Sequence, residues 1–79
     1  MITEKDVIDA WLYWYKSGLK PPFVKNIEEF KHEIRSMYAE FKHIDKSIFW
    51  LAVLYIGKNT KRWPTVFVIQ SEINSYLVA

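Results

Sequence analysis

Asp45 to Leu77 reads DKSIFWLAVLYIGKNTKRWPTVFVIQSEINSYL. The stretch Lys46–Ile56 is aliphatic and aromatic, and it follows Asp45, a residue type that opens helices by accepting from the free N–H groups of the first turn. The spacing predicts a helix here that stops at Gly57. Its main face is Ile48, Leu51, Ala52 and Tyr55, with Trp50, Val53 and Leu54 on the opposite side. A helix apolar all round is normally the central member of a bundle, and both faces then need partners. A basic turn follows, Lys58-Asn59-Thr60-Lys61-Arg62, and then Trp63-Pro64-Thr65. Val66-Phe67-Val68-Ile69 has strand propensity. It does not alternate polar with apolar, however, and no second strand is available to pair with it. Val66, Ile69, Ile73 and Leu77 instead recur at helical spacing, with Thr65 placed to cap, so Val66–Leu77 is predicted to be helical.

Two more helices lie upstream. Asn26 caps a segment from about Ile27 to His43, and Glu29 is placed to complete a capping box. Phe30, Ile34, Met37, Tyr38 and Phe41 form its apolar stripe, and mixed charges occupy the rest. The first segment runs from Thr3 to Ser17, with Thr3 as N-cap, Asp6 in the first turn and Gly18 as C-cap. Val7, Ile8, Trp11, Leu12, Trp14 and Tyr15 share one broad face, and Tyr13 points away from it. Pro21-Pro22 forbids continuation. The expected architecture is all-α: one domain over residues 1–79, a compact bundle of four short helices.

A chain of 79 residues buries only about 60% of its unfolded surface. Four Trp, five Tyr and five Phe offset this, because each buried aromatic removes roughly 150–250 Å² from water. The chain has no cysteine, so disulfides and thiolate metal sites are excluded, in keeping with a cytoplasmic protein. No apolar run follows the N-terminal Met-Ile-Thr-Glu-Lys-Asp, so no secretory signal is expected. The longest apolar run, Ile48–Ile56, is nine residues, far below the roughly 20 that span a bilayer.

Catalytic chemistry has little to stand on. His32 and His43 are 11 residues apart, roughly 16 Å along a helix, too far to share a metal. The acidic residues show no ligand spacing. The carboxylate pairs Glu28-Glu29 and Asp6-Asp9 read as charge near helix N-termini. With glycine only at positions 18 and 57, no phosphate-cradling loop exists. The expectation is a protein that is not an enzyme and carries no cofactor or metal.

Three features point to binding. Lys58, Lys61, Arg62 and Trp63 put cations and an aromatic on one turn, suited to phosphates and a stacked base or to an acidic protein surface. The same residues also suit a solvated helix end with Trp63 folded inward, or Arg62 stacked on Trp63. The aromatic surplus, Tyr13, Trp14 and Trp50 among it, offers interface anchors if it is exposed. Lys20-Pro21-Pro22-Phe23 reads as a rigid connector or as a polyproline-type ligand. The net charge of +2 is low for a dedicated nucleic-acid binder.

Met37-Tyr38-Ala39-Glu40-Phe41, Asp45, Ala52, Lys61-Arg62-Trp63-Pro64-Thr65 and Glu72-Ile73 carry a resemblance. From about Phe30 to Leu77 the chain resembles the small helical proteins with which bacteriophages load or inhibit the replicative hexameric helicase. One proline stands before Thr65 where that pattern has two. The resemblance implies a phage or mobile-element accessory protein that binds a component of the DNA replication machinery: helicase, loader, primase or polymerase. The expected contact surface joins Lys58, Lys61, Arg62 and Trp63 to Tyr13, Trp14 and Trp50. A small nucleic-acid-binding module, an inhibitor of a host enzyme and a self-associating subunit stay open as alternatives.

Overall fold

Thr3 opens the first helix with a full capping box. Its hydroxyl accepts from the Asp6 N–H at 3.3 Å, and the Asp6 carboxylate accepts from the Thr3 N–H at 2.8 Å. In the computed structural model, which describes residues 1–77, four helices follow in chain order: α1 (Glu4–Lys16), α2 (Ile27–Phe41), α3 (Lys46–Asn59) and α4 (Val66–Leu77). There is no strand among the described residues. The protein is an all-α bundle. α1 packs on α2 and α3, and α3 packs on α1 and α4, so α1 and α3 form the centre.

Each boundary has a local cause. α1 ends in a Schellman motif, with the Leu19 N–H donating to Trp14 O and the Gly18 N–H to Tyr15 O, both at 3.1 Å. Gly18 takes φ 98°, left-handed backbone that favours glycine. Leu19, just beyond, is buried. α2 opens with the Asn26 side chain accepting from the Glu29 N–H at 2.9 Å. α3 opens with the Asp45 carboxylate accepting from the Ser47 and Ile48 N–H groups at 2.9 and 3.4 Å. Thr65 Oγ1 accepts from the Val68 N–H at 3.2 Å and so starts α4 as a helix.

Two expectations fail in α3. Gly57 does not end it; the helix runs through Gly57 to Asn59, with Thr60 as C-cap. Gly57 serves packing instead. A Cβ there would stand 3.0 and 3.1 Å from Tyr13 Cζ and Cδ2 and closer still to Cε2, so the missing side chain admits the Tyr13 ring. The buried face is also rotated by one position. Phe49, Ala52, Val53 and Ile56 point inward, whereas Leu51, Leu54 and Tyr55 are exposed. A helix apolar on all sides carries no internal phase, and here only α1 and α4 cover it extensively.

The core is built on Trp14, Phe41, Phe49, Ile56, Ile69 and Ile73, with Val7 and Val53. Two indoles tie α1 to α3 in opposite directions. Trp14 Nε1 donates to Val53 O at 3.0 Å, and Trp50 Nε1 donates to Asp6 Oδ1 at 3.1 Å. Burial pushes the Asp6 carboxyl up. Hydrogen bonds from the Thr3 N–H, Trp50 and the Thr3 hydroxyl, with Lys46 Nζ at 3.5 Å, outweigh that burial and hold it below its ordinary value.

Candidate functional site

The segment between α3 and α4 is pinned at both ends. The Thr60 N–H donates to Ile56 O at 3.1 Å, and the Thr60 hydroxyl donates to the same oxygen at 2.8 Å. Pro64 is buried, and Thr65 caps α4. Between these anchors Trp63 turns inward and lies edge-on to two α1 indoles. Its ring centroid is 4.9 Å from that of Trp11 and 5.4 Å from that of Trp14. Trp11 in turn meets Phe30 of α2 edge-on at 5.4 Å. Such pairs contribute about 0.5–1.5 kcal/mol each beyond area burial. The four rings therefore fasten the loop to α1 and α2.

Trp63 is only half-buried, and its remaining surface walls three adjoining depressions. The first is a groove of about 220 Å³ along α1 and the proline linker. Ile8, Leu12, Tyr15, Pro22, Val24 and Phe30 line it, with no charged residue. The second, about 390 Å³, shares Trp11, Pro22 and Trp63 with the first and adds Lys20, Glu33 and Met37. The third, about 580 Å³, shares Trp63, Pro64 and Thr65 with the second and is lined by Thr60, Lys61 and Arg62. The result is an open trough with an apolar end and a basic end.

Electrostatics sharpen the contrast. Between Asp9 and Glu28, and again from Lys46 to Ser71, the chain has no acidic residue. Among the described residues the ion pairs are Lys5–Asp9, Lys31–Glu28, Arg35–Glu4 and Lys46–Asp6. Lys16, Lys20, Lys25, Lys61 and Arg62 take no part in them and are exposed. Among the described residues Glu33 is the one carboxylate lining the trough.

The residues expected to form a site divide sharply. Lys61, Arg62 and Trp63 come together at the trough. Lys58 lies one turn back in α3, exposed and outside the trough lining. Trp14 has no exposed surface and is occupied by Val53 O, so in the folded protein it is core and meets no partner. Trp50 is half-buried and bonded to Asp6, and Tyr13 is half-buried against Gly57, with its hydroxyl 3.5 Å from Leu54 O. Neither lines the trough. Leu12 and Tyr15, which periodicity puts on one broad face with Trp11 and Trp14, are 49% and 63% exposed and form the groove. The signal was present in the sequence: Ile8, Leu12 and Tyr15 form their own helical row, and a Pro-Pro linker just after α1 is stiff enough to run back beside it.

Fold and site together define a small all-α domain with an open surface trough. Compared with known proteins, the chain matches no protein-family model, no curated protein and no solved structure. No described helix is long and apolar enough to cross a membrane, and no three His, Cys, Asp or Glu of the described residues gather as metal ligands.

Proposed function

We propose that this chain is a non-enzymatic accessory protein of a phage or mobile element, which binds a component of the DNA replication machinery through the Trp63 trough. The observation that carries the binding reading is the join at Trp63. There a rigid apolar wall, fixed by edge-on rings, meets the unpaired cations Lys61 and Arg62. Aromatic and Arg anchors beside a desolvated apolar surface are what protein interfaces are built from. The choice of replication proteins rests on the resemblance. Of its residues, Met37 and Lys61-Arg62-Trp63-Pro64-Thr65 line the trough, whereas Asp45 opens α3 and Ala52 packs in the core.

The test is affinity capture by the tagged protein from nuclease-treated bacterial lysate, read by mass spectrometry, beside a Lys61→Ala/Arg62→Ala variant. Both cations are exposed, so the variant keeps the fold. The expected result is recovery of a helicase, helicase loader, primase or polymerase, reduced by the variant. Recovery of none of these overturns the replication reading.

A further inference from the structure

Building on the reading of the trough as a protein-binding surface, we infer its occupant: an acidic segment of a partner protein that seats one large apolar side chain in the Leu12–Tyr15–Pro22 groove. Its carboxylates then meet Lys61 and Arg62 at the basic end of the trough.

The groove sets the anchor. At about 220 Å³ it falls below the roughly 300–1,000 Å³ typical of small-molecule and cofactor pockets, and it holds a single side chain. Its lining carries no charge and rests on elements that do not need to rearrange: the second half of α1, the Pro21-Pro22 linker and Phe30 of α2. An anchor residue therefore gains burial without ordering the site first.

The surroundings set the charge. Every ionisable side chain of the linker, Lys20 and Lys25, is cationic, as is Lys16 at the end of α1, and none of the three is in an ion pair among the described residues. The far end of the trough adds Lys61 and Arg62. Glu33 faces the middle depression and disfavours a carboxylate there, which directs the acidic flank toward the Lys61–Arg62 end. A nucleic-acid strand fits less well. Of the aromatic residues in the groove wall, Trp11, Phe30 and Trp63 are already packed edge-on with one another, and the net charge of +2 is low for holding a phosphate backbone.

Trp11 carries the buried side-chain donor without a partner among the described residues. It forms the shared wall of the first two depressions. Buried donors nearly always have an acceptor. Trp63, packed edge-on against Trp11, has no side-chain hydrogen bond of its own among the described residues.

The probe is a random dodecapeptide library displayed on filamentous phage and selected on the immobilised full chain. The most enriched peptide is then synthesised and titrated by fluorescence anisotropy. Enriched peptides are expected to be net acidic, with one Trp, Phe, Leu or Met in common. Leu12→Asp should weaken the synthetic peptide about tenfold or more, as loss of an anchor pocket does. Tyr15→Glu, at a more exposed position, is a second groove variant should Leu12→Asp fail to fold. Lys61→Glu/Arg62→Glu should weaken binding at low salt and much less at high salt. No enrichment, neutral or basic winners, or an affinity that folded groove variants leave unchanged overturns the inference. So does Leu12-dependent binding to phosphatidylglycerol vesicles without peptide binding. Acidic winners with no replication protein captured overturn only the replication assignment. A captured replication protein indifferent to Leu12→Asp overturns only the groove.

Discussion

Gly57→Ala pits two opposed effects against each other at one atom. Gly57 lies inside α3, where alanine is favoured over glycine by about 0.5–1 kcal/mol. The added methyl, however, would enter the Tyr13 ring, 3.0 Å from Cζ, 3.1 Å from Cδ2 and nearer to Cε2. Relief means moving a half-buried ring whose hydroxyl also approaches Leu54 O at 3.5 Å. Overpacking of this kind costs about 1–3 kcal/mol, so the single variant should be destabilised by about 0–2.5 kcal/mol. In a Tyr13→Ala background the obstacle is gone, and the same substitution should stabilise by about 0.5–1 kcal/mol. The assay is urea unfolding followed by helical circular dichroism for the four proteins of the cycle, with an expected coupling of about 1–3 kcal/mol. At this chain length about 1 kcal/mol moves the melting temperature by about 4–8 °C, so the change of sign is easily resolved. If Gly57→Ala has the same effect with and without Tyr13, the ring does not sit on Gly57, and the reason for the helix running past that glycine is wrong.

Asp6 makes stability depend on pH. Its folded pKa is below the ordinary 3.8, so the unfolded chain binds the proton more tightly. The stability it contributes is complete above that value and is lost as pH falls through the lower folded value. Asp6→Asn should therefore cost about 1.5–3 kcal/mol at neutral pH, and urea midpoints of variant and wild type should converge below pH 3.8. Trp14→Ala should cost about 3–5 kcal/mol, a large part of the roughly 4–12 kcal/mol expected for a chain of this size. Trp63→Ala should cost clearly less, because Trp63 is half-buried and makes no side-chain hydrogen bond among the described residues; equal urea midpoints for the two would contradict the ring geometry.

The sequence alone determined the helices. Thr3, Asn26, Asp45 and Thr65 are read as caps because capping depends on a side-chain oxygen within one turn of the N–H groups it satisfies. Gly18 is read as a stop for the same local reason, its backbone conformation. The Val66–Ile69 run resolves as helix because a lone strand has no partner for its backbone groups. The basic end of the trough was also legible, since Lys61, Arg62 and Trp63 are neighbours in the chain.

What the tertiary structure decided is which of many apolar residues face inward. Half of this chain is hydrophobic, so periodicity assigns more residues to the core than the core can hold. Trp14 and Leu12 look equally buried along α1, yet one is enclosed by α3 and the other borders the proline linker. Gly57 carries the same letter as Gly18, yet one admits a tyrosine ring and the other turns the chain. The trough joins α1, the linker, α2 and the α3–α4 loop, segments distant in sequence. Burial and adjacency of that kind depend on which surfaces exclude water together, and a one-dimensional pattern does not contain that information.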